Sequence, residues 1–149
     1  MQGVLSPERD EALDGHETLP DDRVLHVRLD LVVVDRGAAG LARDFVRKTL
    51  ADLGYAGDHS DVVLVVSELV SNALRHTTTI PVIRLAGDVR RLRIEVADGS
   101  PVLPRLSATV GGWGMQLISR LTTAWGTAPD RGGKVVWCEM SAEALPGTL

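Results

Sequence analysis

Glu68, Asn72 and His76 stand four residues apart in Glu68-Leu69-Val70-Ser71-Asn72-Ala73-Leu74-Arg75-His76. On a helix that spacing puts all three in one polar row. Val62, Val66, Leu69, Val70 and Ala73 fall on another side and predict a core-facing stripe. The side-chain oxygen of Asn72 is a neutral ligand suited to a hard cation such as Mg²⁺. The carboxylate of Glu68 can accept a proton from a hydroxyl or water. Taken alone, the row reads better as a solvated helix face, so the rest of the chain has to decide.

Two further features follow in chain order. Asp98 ends an alternating run, where its carboxylate could accept a hydrogen bond from an exocyclic amine such as that of adenine. Gly112 and Gly114 precede a predicted helix, where backbone can approach a ligand and helix-start amides can face phosphate oxygens. Each is ordinary alone: Asp before Gly is a common turn pair, and glycines before a helix are a common loop. The glycines do not form a Walker loop, because Lys134 is not in a Gly-Lys-Ser/Thr context. No G-x-G-x-x-G follows an early strand either. The weight lies in the three features occurring together and in this order. They then describe a nucleotide site with Asn72 holding the metal that neutralises the phosphates.

The elements that must position these residues are legible from periodicity. Residues 1–22 are rich in Asp, Glu, Gly and Pro without an apolar period, and predict a flexible acidic tail. Arg23–Asp35 alternates like a strand. Gly37–Leu53 predicts a helix stopped by Gly54, and Asp58 or Ser60 predicts the cap of a second helix running to about His76. Pro81–Ala86 and Arg91–Ala97 predict a hairpin joined at Gly87-Asp88. A loop follows, then a helix from Met115 to about Thr122, a short strand or turn from Trp125, and a last strand over Lys134–Met140. Residues 142–149 predict a loose end. The order implies one domain over 23–141, a two-layer α/β (α+β) sandwich with helices on one face of a mixed sheet.

Composition narrows the function classes. The chain has 149 residues, 44% hydrophobic and 24% charged, as expected of a single soluble domain. A net charge of −4 argues against nucleic acid or an anionic membrane as the main partner. No apolar run is long enough to span a bilayer, and no N-terminal signal segment is present. The single cysteine, Cys138, excludes an internal disulfide, predicts a reducing, cytoplasmic setting, and reads as a small core residue. The four histidines are dispersed, without zinc spacing.

On these motifs the chain resembles the GHKL ATPase superfamily, which includes the ATPase domains of histidine kinases and gyrase. Within it the sequence is most similar to the small bacterial anti-sigma-factor serine/threonine kinases. Glu68-Leu-Val-Ser-Asn72-Ala resembles the N box, Val96-Ala-Asp98-Gly-Ser100-Pro the first glycine box, and Gly112-Trp-Gly114-Met115-Gln-Leu-Ile118 the second. The likeness covers about Arg23 to Met140, with Gly133-Lys-Val-Val-Trp137 matching at the end.

The resemblance implies a Bergerat-type ATP-binding fold. It implies Asn72 as the Mg²⁺ ligand, Glu68 as the catalytic base, and Asp98 as the adenine contact. Ser100, Gly112, Gly114 and Met115 then line the nucleotide, and His76 neighbours the phosphates or stabilises the helix end. Arg105, the only cation between Ser100 and Val110, becomes the candidate phosphate contact of a short lid.

The activity implied is transfer of the ATP γ-phosphate to an anti-sigma-factor antagonist, with a homodimer as the family's assembly. Two departures stand out. Gly99-Ser100-Pro101-Val102 replaces the usual D-x-G-x-G continuation, and Trp113 stands where a polar or basic residue is common. The altered box and short lid favour an alternative: a non-enzymatic module that sequesters a sigma factor or other regulator, with weak or lost nucleotide binding.

Overall fold

The computed structural model describes residues 4–9, 24–30, 36–76, 79–102 and 113–143. Among them the elements run β1 (Val4–Arg9), β2 (Leu25–Asp30), α1 (Arg36–Leu53), α2 (His59–His76), β3 (Val82–Gly87), β4 (Arg91–Asp98), α3 (Trp113–Leu121), β5 (Ala124–Asp130) and β6 (Gly133–Ser141). The strands form one sheet in the order β1-β2-β3-β4-β6-β5. α1 packs on α2, and the helices meet the sheet through β2, β4 and β5. This is the two-layer α+β sandwich expected from the sequence.

The sheet is antiparallel at every pairing, not mixed as expected. The reason is the count of helices between neighbours. One helix between adjacent strands returns the chain for a parallel strand. Here the pair α1–α2 lies between β2 and β3, so β3 starts at the end where β2 finished and runs back along it.

β1 is the second difference. It falls inside the stretch expected to be a tail, yet pairs over its whole length with β2, from Val4↔Asp30 to Arg9↔Leu25. An edge strand is held by backbone hydrogen bonds on one side and needs no apolar alternation. Pro7 is compatible with that position, since edge strands tolerate a missing N–H. The sheet therefore begins well before residue 23. The remainder of the expected N-terminal tail (1–3 and 10–22), residue 23, residues 31–35 and residues 144–149 lie outside the described residues.

Local chemistry explains the helix ends. Gly54 has φ 72°, and the N–H groups of Gly54 and Tyr55 close on the carbonyls of Ala51 and Leu50 at 3.2 and 3.1 Å, a glycine C-cap. Asp58, not Ser60, caps α2: its Oδ1 accepts from the Asp61 N–H at 3.0 Å. Such a cap contributes about 1 kcal/mol. The stripe of α2 outweighs it, since Val62, Val65, Val66, Leu69, Val70 and Ala73 are all buried, and each large aliphatic contributes roughly 1.5–3 kcal/mol. α2 is thus held mainly by its packing against α1, α3 and β4.

Cys138 is fully buried on β6, as expected of a core residue. Burial pushes its thiol up to about 12, with Glu139 adding and Arg93 opposing. The thiolate is the nucleophile, so this residue does no nucleophilic chemistry at neutral pH. The sign for stability follows. A folded value above the unfolded one means the native state keeps a proton that the unfolded state loses. Stability is complete below the unfolded value of 9.0 and falls as pH rises towards about 12, by roughly 1.4 kcal/mol per pH unit inside that window. Urea titrations at pH 8 and pH 10.5 should show this loss, and Cys138→Ala should flatten it. An unchanged slope in that variant would assign the alkaline loss to other groups.

Candidate functional site

The strand period carries two charged residues into the interior. In β4, Leu92, Ile94, Val96 and Asp98 are buried in alternation; in β6, Lys134, Val136, Cys138 and Met140 are. Asp98 and Lys134 are therefore the last and first inward positions of adjacent strands, and they are Cα partners in the register. Lys134 Nζ donates to Asp98 Oδ1 at 3.0 Å and to the Ser100 carbonyl at 3.3 Å. It also lies 2.9 Å from Asp98 Oδ2, with both side chains 1% exposed. The Ser100 N–H donates to Oδ1 at 2.8 Å, and Ser100 Oγ accepts from the Val102 N–H at 3.2 Å.

Oδ1 thus has two donors. Oδ2 has ionic contact with the ammonium but no hydrogen-bond geometry to any donor, and it is a buried side-chain atom without a hydrogen-bond partner. Oδ2 is therefore balanced by the ammonium's charge and not by a hydrogen bond.

Close backbone contacts fix the end of β4. A Cβ on Gly133 would lie 1.9 Å from the Asp98 carbonyl oxygen, and one on Gly99 would lie 2.5 Å from Thr79 Oγ1. The Gly99 N–H donates to Thr79 Oγ1 at 2.9 Å. The Asp98-Gly99 corner is therefore wedged between the start of β6 and the segment leaving α2. The β5–β6 turn that delivers Gly133 is tight: Arg131 and Gly132 have φ 46° and 82°, as a type I′ hairpin turn requires.

The same end of the molecule receives the second half of α2. Glu68 and Asn72 lie one turn apart there and are partly buried. They are not the fully solvated row that the isolated motif suggested. Asn72 Oδ1 is itself buried and without a hydrogen-bond partner. A neutral oxygen left vacant in this way fits a hard cation. Among the described residues no cluster of three His, Cys, Asp or Glu could hold a metal by protein ligands alone.

The remaining candidates divide. Met115 is 4% exposed and belongs to the hydrophobic core, so what it can offer a ligand is backbone in the first turn of α3. That helix begins at Trp113, two residues earlier than expected, and includes Gly114. His76 closes α2, but its side chain, that of Trp113, and all of Arg105 and Gly112 lie outside the described residues. The structure thus joins Asp98 and Ser100 directly, and places Glu68 and Asn72 on the neighbouring helix.

Thr79 was not singled out from sequence, and Gly133 and Lys134 entered only as part of the matching end stretch, without a site role. For Lys134 a signal existed. It is one of two lysines in the chain, and it shares the parity of Val136, Cys138 and Met140.

No protein-family model matches the chain, and no curated protein matches it. Among solved structures, the catalytic domain of the histidine kinase ThkA, in a nucleotide-free form, is similar at 15% identity with a TM-score of 0.47. That match covers 70% of this chain and 89% of that one. No helix among the described residues is long and apolar enough to cross a membrane.

Proposed function

We propose that the chain binds ATP with Mg²⁺ at the end of the sheet where α2, β4 and β6 converge, and acts as a serine/threonine kinase on an anti-sigma-factor antagonist. One observation carries the nucleotide half. The two buried side-chain atoms without a hydrogen-bond partner among the described residues are Asn72 Oδ1 and Asp98 Oδ2. One suits a cation and the other an exocyclic amine, and both residues belong to the motifs that resemble the GHKL boxes. Bound Mg²⁺ would supply charge neutralisation of the phosphates, with Asn72 as its protein ligand.

In the transfer step the partner's hydroxyl oxygen bonds to the γ-phosphorus. The bond from that phosphorus to the bridging oxygen breaks, ADP leaves, and the hydroxyl proton passes to Glu68. The protein's share is mainly positioning, which a small domain can supply. Ser100, Gly112, Gly114, His76 and Arg105 complete this reading as nucleotide contacts, on the strength of the motif resemblance.

Calorimetry tests it. ATP with Mg²⁺ should bind, and chelation of the metal should weaken binding. Asn72→Ala should remove that metal dependence, while Glu68→Gln should bind normally yet give no labelled phosphoprotein with the cognate antagonist. The absence of heat at millimolar ATP would falsify the reading. A second reading, a module that sequesters a sigma factor or other regulator without nucleotide, draws on the Asp98 carboxylate being 1% exposed and already paired. Capture of such a regulator unaffected by ATP would favour it.

A further inference from the structure

Lys134 lies in the Gly133–Trp137 stretch of the resemblance without a role there, yet it touches the carboxylate on which base recognition would depend. Its ammonium and the Ser100 N–H both donate to Asp98 Oδ1, at 3.0 and 2.8 Å. The ammonium also lies 2.9 Å from Oδ2, so the carboxylate is gripped at both oxygens and its rotation about the terminal torsion, otherwise broad, is fixed. Oδ2, in ionic contact only, is the carboxylate oxygen that lacks a hydrogen-bond partner. The hold is directional, because Nζ is also fixed by the Ser100 carbonyl at 3.3 Å. The Cα pairing of Asp98 with Lys134 sets both backbones.

We propose that Lys134 is a positioning residue that sets the base selectivity of this site, by orienting Asp98 Oδ2 towards the exocyclic amine of an aminopurine. This rests on the nucleotide reading above. Hypoxanthine has no exocyclic amine to donate to Oδ2 and would leave it without a hydrogen bond, so the oriented carboxylate discriminates between the two bases. Without Lys134 the carboxylate keeps only the Ser100 N–H and can turn, so the amine-bearing base loses its advantage.

The test is the ratio of affinities for ATP and inosine triphosphate, by calorimetry with Mg²⁺, in the full chain and in Lys134→Met. The unaltered chain should prefer ATP. Lys134→Met should shrink that preference about tenfold, the worth of one charge-assisted hydrogen bond, while inosine triphosphate binding changes little. Lys134→Gln keeps a neutral donor and should retain most of the preference; if Lys134→Met does not fold, Lys134→Ala, which also removes the donor, takes its place. An unchanged ratio in the variant that lacks the donor, or equal weakening of both nucleotides, overturns the positioning role and leaves the nucleotide reading intact. If the unaltered chain binds neither nucleotide at millimolar concentration, both fall.

Discussion

Asp98→Ala is expected to cost the folded state about 3–5 kcal/mol, the usual penalty for removing one member of a buried ion pair. The cost does not measure the worth of the pair. Both side chains are 1% exposed, so the truncation leaves the Lys134 ammonium in an apolar interior with only the Ser100 carbonyl as acceptor. That stranded charge dominates, because desolvating an unpaired ion costs more than one paired contact returns. The double variant Asp98→Ala with Lys134→Met removes both charges and should recover much of the loss, giving, with the two single variants, a coupling energy of opposite sign to the single costs. In a chain of this size the single variant should melt roughly 10 °C lower. Should Asp98→Ala melt within a degree or two of the unaltered protein, the pair would have to be solvated rather than buried.

Gly133→Ala is expected to be at least as damaging, for a steric reason. Its Cβ would fall 1.9 Å from the Asp98 carbonyl oxygen, 2.8 Å from the Gly99 Cα and 2.9 Å from the Asp98 carbonyl carbon. All three are backbone atoms, so no side chain can swing away. Relief requires β4 and β6 to part at the one point where the Asp98–Lys134 register is set. Overpacking of a rigid core costs typically 1–3 kcal/mol and more when backbone must move, so a loss of about 3 kcal/mol or more follows. Gly132→Ala is the control: nothing lies within 4 Å of its Cβ, though its φ of 82° gives it a conformational cost. In urea, Gly133→Ala should have the lower midpoint; the reverse order would remove close approach as the reason for glycine at 133.

Both effects fall on residues to which the sequence gives unequal access. Asp98 was legible as the end of an alternating strand, and Asn72 and Glu68 as a helical row, because period 2 and period 3.6 are local properties. The stop at Gly54 and the hairpin into β4 were legible for the same reason, since cap and turn chemistry act over a few residues. β1 was not, because its pairing with β2 is made by backbone groups that any sequence carries. Nor was the antiparallel sense of the sheet, which depends on how α1 and α2 fold back on each other. Lys134 gains no role from its own segment, although its parity matches three buried neighbours.

Local periods alone mark the inward stripe of α2 and the alternation of β4, and they bring Asn72 and Asp98 forward as the candidate ligand groups. Side-chain direction follows from the local backbone period, so no knowledge of distant neighbours was needed. That the inward carboxylate at the end of β4 meets the inward ammonium at the start of β6 follows from the sheet's register alone. The tertiary structure also left one oxygen of Asp98 and one of Asn72 buried without hydrogen-bond partners. Those outcomes depend on register between strands 36 residues apart, which hydrophobic pattern and turn geometry fix jointly and no single segment encodes.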